Sequence, residues 1–97
     1  MIKLGICTEV KNIGIVQKCG YDYLETSLAG LAAMSETDFN NAAKLADSAR
    51  IRVEACNGML PASVRVTGPD VSAQKIHDYL DLAFSRARRL GVEVVVF

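Results

Sequence analysis

The 97-residue sequence is poor in the residue types that most often announce chemistry. Its single histidine, His77, sits in a helix-patterned segment beside Asp78 and Asp81. A solvated i,i+4 pair with Asp81 is the ordinary outcome there, and no metal or acid–base role is expected of it. The three cysteines, Cys7, Cys19 and Cys56, are odd in number and lack CxxC spacing, which argues against a disulfide framework and a zinc knuckle and predicts reduced thiols. Eleven Lys and Arg balance eleven Asp and Glu. That balance leaves no electrostatic footprint for nucleic acid or an anionic membrane surface. No apolar run approaches the roughly 20 residues of a membrane span, and the sequence opens on strand-like residues instead of a signal peptide. A cytoplasmic protein with no nucleic-acid or membrane partner is expected. Phosphate-binding signatures are missing too: no GxGxxG follows the first strand, where Cys7, Thr8, Glu9 and Val10 stand, and there is no P-loop. No cluster of Asp, Glu and His has the makings of a divalent metal site by itself.

What is present is a folding pattern. The chain is 51% hydrophobic and 23% charged, which excludes disorder, and its length suits one domain or less, residues 1–97. Strand candidates run over Ile2–Cys7, Tyr21–Ser27, Arg52–Cys56 and Val92–Phe97. The last is an almost unbroken apolar run that reads as a parallel strand buried on both faces. Between them lie helix candidates over Asn12–Cys19, stopped by Gly20; over about 36–50, capped by Ser35; and over about 73–90, capped by Ser72 and ended by Gly91. The stretch after Ser27 reads as a loose loop of Ala, Gly and Leu. A longer one, Asn57–Asp70, is punctuated by Gly58, Pro61, Gly68 and Pro69.

Four strands alternating with three helices predict parallel βα units. Such units build either an open doubly wound sheet or an arc of a (β/α)8 barrel. Four βα strands are half of eight, so the barrel accounts for the pattern. In both architectures the working face is the C-terminal ends of the strands, which selects Cys7, Thr8 and Glu9; Glu25 and Ser27; and Cys56 and Asn57. Glu25 suits a mouth carboxylate that accepts hydrogen bonds from sugar hydroxyls, or else an ion pair. Asn57 suits a polyol through its amide, or ordinary turn chemistry before Gly58. Glu54, placed on the same face as Cys56, suits a buried polar layer or a salt bridge to Arg52 or a neighbouring strand. Arg86, Arg88 and Arg89 suit phosphate less well than they suit the C-terminal dipole of their helix.

A resemblance adds to this. The start KLGIC, the strand GYDYLE, the loop NGMLP with its following TGP, and the closing RLGVEVVVF resemble sugar phosphate isomerase/epimerase proteins of the xylose isomerase-like TIM-barrel superfamily. The resemblance covers essentially the whole chain and implies the N-terminal half of a barrel. It implies a sugar or sugar phosphate as ligand, and a divalent metal (Mg, Mn, Co or Zn) assisting proton transfer beside a carbonyl. It also implies that the metal ligands belong to later strands, so that none falls in this chain and no catalytic residue carries over. Glu25, Asn57 and Cys7 carry over as pocket-lining positions, and the 97 residues alone are expected to be inactive. The alternative is a non-catalytic half-barrel that pairs with a second copy through its sheet edges, and a homo-oligomer is expected on that ground.

Overall fold

A computed structural model describes residues 2–97. One parallel sheet of four strands is formed by β1 (Gly5–Cys7), β2 (Tyr23–Ser27), β3 (Arg52–Asn57) and β4 (Val94–Val95). After β1 come a 3₁₀ turn, Val10–Asn12, and α1 (Ile13–Lys18); after β2, α2 (Leu28–Ala33) and α3 (Glu36–Ser48); after β3, α4 (Ala73–Leu90). The spatial order of the strands is β1-β2-β3-β4, the same as their order along the chain. A doubly wound sheet reverses direction at a switch point, so strictly sequential order selects the arc of a barrel. The molecule is a slab 17 Å thick in its thinnest dimension. That accommodates one sheet and one layer of helices about 10 Å away.

The helices start and stop where side chains satisfy their ends. Ser35 Oγ accepts from Asp38 N at 3.1 Å, and Glu36 and Asp38 place negative charge in the first turn of α3. Ser72 Oγ accepts from Lys75 N at 3.3 Å to open α4. At the other end Gly91 adopts φ +80°, a left-handed conformation, while the N–H groups of Gly91 and Val92 donate to Arg88 and Ala87 carbonyls at 3.1 and 3.0 Å. This pair of bonds closes the helix in a Schellman motif and aims the chain into β4.

The core lies between sheet and helices. Leu24 and Val53 of the strands, Val10 and Ile13, Leu28 and Leu31 of α2, Phe39 of α3, and Ala83 and Ala87 of α4 are buried there together with Cys56. Leu24 and Val53 are paired across β2 and β3. The opposite, inner face carries Tyr23, Glu25 and Ser27 of β2, all only half-buried.

Four expectations from sequence are corrected. First, the segment after Ser27 is a helix, which raises the helices from three to four. Ser27 Oγ accepts from Gly30 N at 3.0 Å, and Leu28 and Leu31, three apart, both enter the core. Second, the strands are shifted: β1 spans Gly5–Cys7 where Ile2–Cys7 was expected, β2 begins at Tyr23, and β3 extends to Asn57. Third, the closing apolar run pairs only through Val94–Val95 and is not buried on both faces. Val95 packs toward the helices, whereas Val94 and Val96 face the uncovered inner side and are 55% and 50% exposed; Phe97, beyond the end of β4, is 82% exposed. Fourth, a bulge opposite Leu24 and Glu25 inserts Glu54 into β3, so that Leu24 pairs with Val53 and Glu25 with Ala55. The extra residue reverses the alternation, which puts Cys56 in the core and Glu54 on the inner face.

Candidate functional site

Parallel pairing sets Cys7 beside Glu25 on adjacent strands, and Ser27 beside Asn57. Cys7, Ser27 and Asn57 end β1, β2 and β3, and Glu25 stands two residues before the end of β2, all on the inner face. The Asn57 side chain leans back along the sheet: its Nδ2 donates to Glu25 Oε2 at 2.7 Å and to Cys7 Sγ at 3.1 Å. Three residues far apart in sequence therefore form one polar cluster with the amide at its centre. The carboxylate bond is the short, charge-assisted one and fixes the Glu25 rotamer. Asn57 itself is held by the turn that follows it, where Gly58 has φ +55° and its carbonyl accepts from Ala29 N at 3.2 Å. Farther along, the Tyr79 hydroxyl of α4 donates to the Met59 carbonyl and ties the long loop to the helix layer. Burial, reinforced by the Cys56 thiol, holds the Tyr79 phenol above its ordinary range.

The other strand-end candidates are engaged elsewhere. Thr8 Oγ1 accepts from Asn12 Nδ2 at 2.9 Å, Glu9 pairs with Lys11 at 3.1 Å on the surface, and Ser27 caps α2. Glu9 and Ser27 nonetheless line an open cleft of about 400 Å³ with Thr26, Gly30, Leu31 and Met34. On the inner face, a hollow of about 350 Å³ runs from Glu25 down to Lys3, Tyr23, Glu54 and Glu93. Lys3 forms a salt bridge with Glu54 and lies 5.9 Å from the centre of the Tyr23 ring. The ammonium is held above its ordinary range, chiefly by the hydrogen bond to Glu54. Glu54 thus has a partner beside the first strand, not Arg52.

His77 stands 3.9 Å from Asp81, both well exposed, in the solvated pair its spacing implies. Among the described residues no three of His, Cys, Asp and Glu converge as a metal site would require. The donors at the mouth, one carboxylate and one thiol already bridged by an amide, do not fit a divalent metal held by this chain. Among the described residues, too, no helix is long and apolar enough to cross a membrane.

Cys56 is fully buried, and burial, with the nearby Glu25 charge second, pushes its thiol up to about 11. Cys7 and Cys19 are exposed. Since the thiolate is the nucleophile, iodoacetamide at pH 8 is expected to modify two thiols while Cys56 reacts about 100-fold more slowly until the fold is opened. Mass spectrometry of a labelling time course checks this; prompt modification of Cys56 would contradict its placement in the core.

No model of a protein family and no curated protein matches the sequence. A solved structure does match: a D-psicose 3-epimerase crystallised in the presence of D-fructose superposes with a TM-score of 0.74 over 97% of this chain. The fold is half of a (β/α)8 barrel. Identity to that protein is 15%, and the matched region is 36% of its chain, so the present chain spans about a third of its length. In a barrel of this kind the cluster of Cys7, Glu25 and Asn57 lies at the C-terminal mouth, where loop and strand-end residues meet ligand.

Sequence reasoning had singled out each of these three residues separately. It did not foresee that Asn57 joins the other two, because the bond depends on strand order and not on spacing. It also missed Lys3 and the bulge at Glu54. Of these, only the bulge has a visible signal: Val53, Ala55 and Cys56 break the period-two alternation expected of β3.

Proposed function

We propose that this chain forms the first half of a sugar isomerase/epimerase barrel of the xylose isomerase-like type, and that Cys7, Glu25 and Asn57 bind a polyhydroxylated carbonyl compound, a sugar or sugar phosphate, at its mouth. The observation that carries the proposal is the Asn57 amide clamping Glu25 and touching Cys7 at the strand ends. The likeness to an epimerase fold supports it. Glu25 Oε1 has no described protein partner and accepts from vicinal hydroxyls, the commonest donors on a sugar; Asn57 Oδ1 accepts from a third. Cys7, small and apolar beside its thiol, shapes the floor. Proton transfer beside the carbonyl, and the metal that would assist it, are assigned to barrel residues other than those of this chain. The chain alone is accordingly expected to bind without turnover.

Glu25→Gln keeps an acceptor for Asn57 but loses the charge. It is expected to weaken D-fructose binding about 10- to 100-fold, as loss of charge-assisted bonds of about 1.5–3 kcal/mol would, while melting within a few degrees of the parent. Ligand-observed NMR on the two proteins reads the first and circular dichroism the second. Unchanged binding with an early melt would make Glu25 structural.

A second reading, a non-catalytic half-barrel that associates through its edges, is favoured by one observation: β1 and β4 each pair on one side only, with Val94, Val96 and Phe97 exposed.

A further inference from the structure

The amide at the mouth owes its place to groups outside the mouth. Asn57 ends β3, and its side chain bridges Glu25 and Cys7 only while the backbone just after it keeps one course. That course is fixed from both helices beside it. On the α2 side Gly58 turns left-handed at φ +55°, with Ser27 Oγ 3.6 Å from where a β-carbon would stand, and its carbonyl accepts from Ala29 N at 3.2 Å. On the α4 side Tyr79, in the second turn of that helix, donates its hydroxyl to the Met59 carbonyl. Past Met59 the chain is lightly held. Residues 65–71 are all exposed, and the backbone bonds within the stretch are local, Val64 N to the Pro61 carbonyl at 3.0 Å and Val71 N to that of Gly68 at 3.4 Å. Pro61 and Val64 stand over a hollow of about 250 Å³ against Ala29 and Tyr79, so even the start of the loop is loosely packed.

The Tyr79 bond is thus where a lightly held loop becomes fixed backbone, just beyond Asn57. The phenol suits that task, because its ring packs on the core as Met59 does, and burial keeps the hydroxyl protonated through the neutral range. We infer that Tyr79 is a positioning residue for the mouth: by anchoring Met59 it holds the Gly58 turn, and with it the Asn57 amide, against Glu25 and Cys7. It touches no ligand itself. An amide that must meet two partners at once tolerates little drift, so loosening the turn behind it is felt by whatever the mouth binds. That the mouth binds a sugar is the reading proposed above; the hold of Tyr79 on Asn57 rests on the hydrogen bonds and is read without ligand.

Tyr79→Phe keeps the ring and removes only the hydroxyl. Ser85→Gly weakens the same helix at an exposed position and leaves the turn alone, so it reports what a merely structural loss in α4 does. Circular dichroism establishes that each variant is folded, and ¹⁵N NMR follows the Asn57 side-chain amide without ligand. In the parent and in Ser85→Gly its protons are expected to be slow to exchange; in Tyr79→Phe they move toward the positions of a free asparagine and exchange about threefold to tenfold faster, the range that one neutral hydrogen bond allows. D-fructose affinity is expected to fall by a similar factor in Tyr79→Phe and to hold in Ser85→Gly. Gly58→Ala, strained at its left-handed φ, disturbs the same turn from the α2 side and is expected to displace the same signal, which serves in place of Tyr79→Phe if that variant does not fold. An Asn57 amide unmoved in Tyr79→Phe, or moved as far in Ser85→Gly, would overturn the inference. Movement of that amide in Tyr79→Phe alone, in a protein that binds no D-fructose, would uphold the role of Tyr79 and sink the sugar reading instead.

Discussion

Arg86→Met is expected to cost about 3–5 kcal/mol, most of the stability of a domain this small. Arg86 is 6% exposed, and its guanidinium reaches across from α4 to the C-terminal end of α2. There Nη1 donates to the carbonyls of Leu31 and Met34 at 2.6 and 2.7 Å, and Nη2 to Glu36 Oε2 at 3.2 Å. The plane also lies 5.0 Å from the centre of the Phe39 ring. These carbonyls are the ones a helix leaves without partners, and a cation opposes the negative end of the α2 dipole. Methionine fills much of the volume but satisfies no carbonyl: the Leu31 carbonyl keeps only its 3.3 Å bond from Met34 N, while the Met34 carbonyl loses the guanidinium outright, and an acceptor so left costs about 1–3 kcal/mol. Lysine also fails, since one ammonium cannot reproduce the fork and the stacking together. Glu36→Gln should cost less than about 1 kcal/mol because the Glu36 side chain is 80% exposed. Urea denaturation of the three variants distinguishes them; a loss below about 1 kcal/mol for Arg86→Met would show that water replaces the guanidinium.

Asn57→Asp is expected to make stability depend steeply on pH. The parent amide donates to Glu25 at 2.7 Å. An aspartate there puts two carboxylates at hydrogen-bond separation, which repel when both are ionised and are satisfied when they share one proton. Sharing raises the folded-state affinity of the pair for that proton above the unfolded value. Its stabilisation is therefore present below the usual carboxylate range and lost as pH rises through the folded-state titration. Relative to Asn57→Ala, the Asp variant should be no less stable at pH 4 and about 1.5–3 kcal/mol less stable at pH 8. Equal pH profiles for the two variants would mean that Asn57 and Glu25 are not in contact.

These two residues mark what could and could not be read from sequence. Parallel βα order, the Ser35 and Ser72 caps and the Gly91 stop were legible because each depends on neighbours within a few positions. The α2 helix was not, since Leu28–Ala33 has no polar periodicity and contains Gly30; its start rests on Ser27 and its end on Arg86, which is distant in sequence. Arg86 did carry a signal. It lies at helical spacing from Tyr79, Ala83 and Leu90, on the face that packs inward, but grouping it with Arg88 and Arg89 hid that. Arg89 instead makes a two-point pair with Asp47 of α3 at 2.7 and 3.1 Å. The exposure of Val94, Val96 and Phe97 was also illegible, because an apolar run reads as buried wherever the covering layer comes from. At the mouth, residue type and strand-end position selected Cys7, Glu25 and Asn57, while their convergence required the order of the sheet.

The central claim, that this convergence is a sugar-binding mouth, is tested most directly by titrating the ¹⁵N-labelled 97-residue protein with D-fructose and mapping the amide shifts. Saturable shifts centred on Cys7, Glu25 and Asn57, with the Asn57 side-chain amide moving and with none at the opposite ends of the strands, are the predicted result. Shifts scattered over the helices, or none at these three residues while the protein remains folded, would contradict it.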